Sequence, residues 1–191
     1  DRVGKSMFDL PIIEVERGDR DDVIMGSVED VIKPGAADVV IVCTDSFTKD
    51  VFPKLKLVME NGMNVITSAE QMAYPAAQEP ELAKQLDEIA KANGVSVLGT
   101  GINPGHIMDL LVLVMTGCMI DVEHILSKRV NSLSPFGPTV MEEQGIGISK
   151  EEFEARKADG TMAGHVGFAE SVGMMADGLG LTVEEFSQDM D

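Results

Sequence analysis

Three short polar segments hold the residue types from which a ligand site could be built. They are Cys43-Thr44-Asp45-Ser46, Thr67-Ser68-Ala69-Glu70 and Gly99-Thr100-Gly101-Ile102-Asn103. Their hydroxyls, amide and glycine backbone can hydrogen-bond a polar ligand, and their carboxylates can hold or take a proton. Each segment closes an apolar run rich in β-branched residues, at 37–43, 63–67 and 95–98. In an open parallel sheet the strand C-termini share one edge, so the three turns converge on one crevice, where a nucleotide-sized ligand is the default occupant. Any one of these turns alone is weak evidence, because Thr or Ser at a strand end more often caps a helix. Cys43 reads as a small core residue rather than a nucleophile, since no histidine lies near it in sequence.

Other chemistries find less support. His106, His124 and His165 lack metal-ligand spacing, so no metal site is expected. Ser46 lacks the G-x-S-x-G setting of a hydrolase nucleophile. No G-x-G-x-x-G follows a strand near the start of the chain. Gly99-x-Gly101 does not replace it, because Pro104 breaks the pattern.

The elements that position these turns follow from periodicity. The runs at 37–43, 63–67 and 95–98 read as strands buried on both faces. Between the first two, residues 48–61 read as a helix ended by Gly62, with Pro53 tolerable only near its first turn. Between the second and third, residues 71–78 read as a loop or short turn. Glu79-Pro80-Glu81 then opens an amphipathic helix with Leu82, Leu86, Ile89 and Ala90 on one face, closed by Asn93-Gly94. The result is a βαβαβ unit, half of a doubly wound sheet. Before it, residues 1–22 read as a connector with one short strand at 10–13, and residues 27–32 as a helical turn. After it, residues 107–115 read as a buried helix. Residues 122–130 read as a partly alternating strand that carries Lys128 and Arg129, and 131–147 as a long Pro/Gly-rich loop. Ser149 to Glu152 reads as a capping box, 169–178 as a buried helix, and Thr182 onward as a last helix.

Composition bounds the partners. The 191 residues are 44% hydrophobic, enough for a packed core. A net charge of −18 argues against nucleic acid and against an anionic membrane surface. No apolar run has membrane-spanning length. Two cysteines in apolar stretches fit a reduced, cytoplasmic protein.

Four motifs occur in order: ITSAEQMAYP at 66–75, GTGINPGHIMD at 99–109, RVNSLSPFGPTV at 129–140 and GHVGFAES at 164–171. In sequence and spacing they resemble the 2,4-diaminopentanoate dehydrogenase family, which is related to the dihydrodipicolinate reductases. The resemblance spans the chain. It implies an α/β, Rossmann-like parallel sheet lacking its first βαβ piece, followed by part of an α+β substrate and dimerisation domain. Residues 1–103 would be a partial dinucleotide-binding domain and 104–191 a partial substrate domain. The glycine fingerprint would then be encoded ahead of residue 1. The paired histidines of the dihydrodipicolinate reductases have no counterpart here, which disfavours their substrate.

The implied activity is oxidative deamination of 2,4-diaminopentanoate to 2-amino-4-oxopentanoate and ammonia, with NAD or NADP, by a homodimer. On that reading Cys43, Thr44, Thr67, Ser68, Thr100, Gly101 and Asn103 lie on the cofactor side, with Thr44, Thr67 and Asn103 foremost. Glu70 pairs with a substrate ammonium or acts as the base, unless it merely caps a helix. His106, at a helix start, is a second catalytic candidate, although a histidine there can simply face solvent. Lys128 and Arg129 would face opposite sides of a strand, and Arg129 is better suited to a substrate carboxylate. The GHVGFAES motif suggests no role for His165 or Glu170. Two alternatives stay open: a dihydrodipicolinate-reductase-like oxidoreductase on another substrate, or a non-catalytic metabolite-binding module.

Overall fold

Three parallel strands, β1 (Val39–Val42), β2 (Asn64–Thr67) and β3 (Val97–Gly99), lie side by side in that order. Val42 pairs with Thr67, and Thr67 with Gly99, so all three strands end level. The structure is a computed structural model. It describes residues 2–10, 16–19, 22–162 and 164–190, without the side chains of Thr139 and Glu143. The short strand expected at 10–13 falls, apart from Leu10, outside these residues.

The crossovers are helices α2 (Thr48–Glu60) and α3 (Pro80–Asn93), as the periodicity predicts. They pack on each other and on one face of the sheet. Val51, Leu55, Val58 and Met59 of α2, spaced at helical intervals, join Leu86 and Ala90 of α3 over Val42, Met63 and Val65. Gly94, left-handed at φ 66°, closes α3. A first short helix, α1 (Val28–Val31), starts at Ser27, whose hydroxyl accepts from the Asp30 N–H.

Several expectations need correction. The strands are not buried on both faces: Ile41 is 69% exposed, and Val39 and Leu98 are exposed beside it. Both crossover helices cover the same face, and the side chains of the other point outward. Cys43 is exposed rather than a core residue, because β1 has ended before it. Thr44, Asp45 and Ser46 do not cap α2. Phe47 holds the cap position, and the buried Gln71 side chain accepts from the Thr48 N–H at 2.9 Å. Pro53 sits inside α2 beyond its first turn, on the exposed side of the helix.

Beyond Gly99 the differences are larger. Helix α4 (Leu110–Thr116) begins three residues later than expected, because the Asp109 carboxylate caps Leu110 at 2.6 Å. It is not buried: Leu110, Leu111, Val114 and Met115 are exposed. Residues 122–130 form no strand, since no described neighbour pairs with them. The long loop holds α5 (Pro138–Glu143). Ser149 caps α6 (Lys150–Asp159) as expected, accepting from the Glu152 N–H at 3.1 Å. Helix α7 (Phe168–Gly178) is only half-buried. Residues 182–190 are irregular: Val183 and Phe186 are exposed, and a capping pattern without a buried face does not sustain a helix. The expected α+β region thus holds helices and irregular chain, with no strand among its described residues. No helix among the described residues is long and apolar enough to cross a membrane.

Candidate active site

The three strand-end turns meet, as their level ends require. The Gln71 N–H donates to the Ser46 carbonyl at 3.1 Å, tying the first two turns together. The Thr100 N–H donates to the Thr67 carbonyl at 2.9 Å, tying the second to the third. Glu70 opens a 3-10 turn (Glu70–Ala73) directly after β2, and is half-buried there. Gly99 holds this turn in place by close approach: a Cβ at Gly99 would lie 1.7 Å from the Met72 carbonyl oxygen. Only glycine permits that contact.

At the first turn, the Thr44 hydroxyl donates to Asp45 at 2.5 Å and accepts from Lys54 Nζ at 3.0 Å. Lys54 also pairs with Asp45 at 2.5 Å. The Lys54 and Thr44 hydrogen bonds hold the Asp45 carboxyl below the usual carboxylate range. At the second turn, Ser68 is exposed. Thr67 is fully buried, and its hydroxyl accepts from the Ala69 N–H at 3.2 Å, which shapes the turn and leaves it turned from the edge. At the third, Thr100 is exposed and Gly101 half-exposed. The exposed edge therefore consists of Cys43, Thr44, Ser68 and Thr100. A concavity of about 490 Å³ adjoins it, lined by Met25, Val31, Ile41, Cys43, Thr44 and Lys54.

The second part of the site comes from the other half of the chain. The segment before α7 brings His165 to Asn103, with Asn103 Nδ2 and His165 Nε2 3.3 Å apart. The Phe168 ring meets the imidazole edge-on, with centroids 4.5 Å apart. Pro104 is fully buried against Gly167. There φ is +110°, and a Cβ would lie 2.4 Å from the proline ring, so glycine is required. The buried Asp109 carboxylate joins the two loops, accepting from the Gly105 N–H at 2.7 Å and from the Ser171 hydroxyl at 2.8 Å. Burial, and then the positive charge of Arg129, hold the His165 imidazole below its ordinary pKa, while the Glu70 charge opposes them. Glu70, Asn103, Arg129 and His165 thus share one electrostatic neighbourhood. His106 and Lys128 are exposed, and the structure gives neither side chain a partner in this cluster.

Helix α7 is clamped onto the Glu70 turn. Gly173 packs against Tyr74 and Ala77, and Gln78 Nε2 donates to Glu170 Oε1 at 2.7 Å. Tyr74 hydrogen-bonds Asp177, and burial first, then that bond, raise its pKa. Glu170 is fully buried and its other oxygen has no partner; burial pushes its carboxyl up. Sequence reasoning gave no role to Asp109, His165, Glu170 or Ser171. The available signal was the placing of polar residues inside apolar helical stretches, which is costly unless they are paired. A separate, mainly apolar cavity of about 460 Å³ lies beyond Phe168, bounded by Met108, His124, Leu126, Val172 and Met175. It includes neither Glu70 nor His165. No cluster of metal-ligating side chains occurs among the described residues.

Residues 106–191 match the model of the 2,4-diaminopentanoate dehydrogenase C-terminal domain. A curated 2,4-diaminopentanoate dehydrogenase from Acetoanaerobium sticklandii is 66% identical over 178 residues, which is 93% of this chain and 50% of that protein. The chain thus spans about half the length of this relative. The solved structure of an amine dehydrogenase from Mycobacterium smegmatis shares the fold, with a TM-score of 0.74 at 22% identity, over 96% of this chain and 53% of that one. By sequence, the chain is similar to 2,4-diaminopentanoate dehydrogenase over 93% of its own length, and its residues 106–191 match that family's C-terminal domain.

Proposed function

We propose that the intact protein oxidatively deaminates 2,4-diaminopentanoate to 2-amino-4-oxopentanoate and ammonia. The observation that carries this reading is the Asn103–His165 contact at 3.3 Å, with the imidazole reached by both the negative charge of Glu70 and the positive charge of the exposed Arg129. A diamino acid offers the complementary charges. Glu70 pairs with the reacting ammonium and takes its proton, since only a neutral amine can release the hydride on its carbon. Arg129 binds the substrate carboxylate, its planar fork matching two oxygens. A nicotinamide, when bound, supplies the hydride acceptor. The exposed strand edge fits such a group: Cys43, Thr44, Ser68 and Thr100 present side chains there, and Gly101 and Asn103 continue the edge toward the substrate. Thr67 serves by shaping the turn. The reading extends to NAD or NADP as the cofactor, and to a cytoplasmic homodimer. Hydrolysis of the resulting imine needs only water admitted beside Glu70.

Appearance of reduced nicotinamide absorbance with 2,4-diaminopentanoate tests the reaction, and its absence with every diamino acid tried would reject it. Glu70→Gln keeps the size and loses the base, so turnover should fall about 10²–10⁴-fold. An unchanged rate would remove Glu70 from the site.

A further inference from the structure

Asn103 and His165 meet where two loops are held rigidly together. Pro104 against Gly167 and the Asp109 bridge to Ser171 fix both backbones, and Phe168 fixes the plane of the imidazole. The contact itself obeys donor–acceptor arithmetic. An amide N–H can donate only to a ring nitrogen that carries a lone pair. With Asn103 Nδ2 facing His165 Nε2, the imidazole must be neutral with its proton on Nδ1. The other end of the amide, Asn103 Oδ1, is then left buried and without a partner. Protonation of the ring would place an N–H on Nε2, and two donors would face each other. Turning the amide end for end restores the hydrogen bond, and leaves the NH₂ rather than the oxygen over.

We propose that His165 is a positioning residue that sets which end of the Asn103 amide meets the substrate. With the ring neutral, Oδ1 accepts from the ammonium of a diamino acid; with the ring protonated, the amide reverses and the ammonium is expelled. The proposal rests on the amine dehydrogenase reading of the same site. A buried acceptor without a partner is costly, and an ammonium held by Glu70 is a donor of the right charge beside it. The charged groups whose fields reach the imidazole are Arg129, from the irregular 122–130 segment, and Glu70, from the turn after β2. Asn103 and Phe168 are its uncharged neighbours. Burial and Arg129 favour the neutral ring, and an ammonium that neutralises Glu70 favours it further. Substrate binding and a neutral His165 therefore reinforce each other.

Long-range ¹⁵N spectra of the intact wild-type protein read the tautomer directly, with His165→Gln identifying the signals by their loss. At neutral pH the His165 proton should reside on Nδ1. Below the pKa of that ring, KM for 2,4-diaminopentanoate should rise about tenfold per pH unit with kcat nearly unchanged. In His165→Gln, whose amide oxygen accepts at every pH, this acid limb should vanish. In Asn103→Leu, KM should be raised at all pH values and the limb should vanish as well. A proton on Nε2 at neutral pH would overturn the switch whatever the activity. A full acid limb in Asn103→Leu would overturn it in favour of simple charge repulsion by the imidazolium. No turnover of 2,4-diaminopentanoate, with the Nδ1 tautomer intact, would instead reject the substrate and keep the coupling of ring and amide.

Discussion

The sheet half of the chain and the half after Gly99 are held by different forces. Around the sheet, Val51, Leu55, Met59, Met63 and Val65 are all at most 1% exposed, and they pack on one another. After Gly99 the fully buried side chains include Pro104, Asp109 and Glu170, while the apolar Leu110, Leu111, Val114 and Met115 stand in solvent. That half is tied together by keyed polar contacts, Asp109 to Ser171 and Asn103 to His165, and is tied to the sheet half by Gln78 to Glu170. The first half is stabilised by apolar area, which is non-directional and tolerant. The second depends on geometry, which is directional and carries the site.

The largest effect that would sharpen this contrast is in the core. Leu55→Ala should cost about 2–5 kcal/mol of stability, the range for a fully buried leucine that leaves a cavity. Val114→Ala, on the exposed face of α4, should change stability by less than about 0.5 kcal/mol. Urea unfolding of the two variants measures both. Equal losses would mean that α4 is as well packed as α2, and the contrast would fall.

The same contrast explains what could be read from the chain beforehand. Helices α2 and α3 and the three strands were legible, because burial on one side writes a period of 3.6 or 2 into consecutive residues. Their level C-termini followed from topology, so Thr44, Glu70 and Asn103 could be placed at one edge. The exposed face of Ile41 was not legible, since a β-branched run looks the same whether one face or two are covered. Residues 122–130 alternate like a strand, yet a strand needs a partner, and pairing is not a local property. His165 lies 62 residues from Asn103. Their contact depends on the Pro104–Gly167 packing, and nothing in either motif alone announces it. Thr67 was legible as a strand-end hydroxyl, while its use in shaping the turn was not.

Gly167→Ala probes the keyed half at its tightest point. The new methyl would lie 2.4 Å from the Pro104 ring, far inside van der Waals contact, at a φ that alanine avoids. The backbone strain alone is worth about 1–3 kcal/mol. Relief requires the 164–168 loop to move from Pro104, so the variant should lose the Asn103–His165 contact as well as stability. Amide chemical shifts around His165, with a melting curve, check both. Loss of stability without any shift at His165 would show that the loops are not keyed to each other.

Glu170→Gln gives the smallest effect and the most specific one, because it changes charge without shape. Burial raises the Glu170 carboxyl in the folded protein, whereas unfolded glutamate titrates near about 4.3. The folded state therefore keeps the proton to higher pH than the unfolded state does. The favourable contribution is complete below the unfolded value and is lost as pH rises through the folded one. Above that window the chain buries an ionised carboxylate whose second oxygen has no partner. Glutamine keeps the oxygen that accepts from Gln78 and carries no charge. The stability of Glu170→Gln relative to wild type should thus climb from about pH 4.3 upward and then level off. The deficit of Leu55→Ala, which involves no titrating group, should stay flat over the same range. Unfolding curves at a series of pH values compare the two. A flat difference for Glu170→Gln would mean that the carboxyl is no more reluctant to ionise folded than unfolded, and that α7 is held as the sheet core is, by area rather than by a polar key.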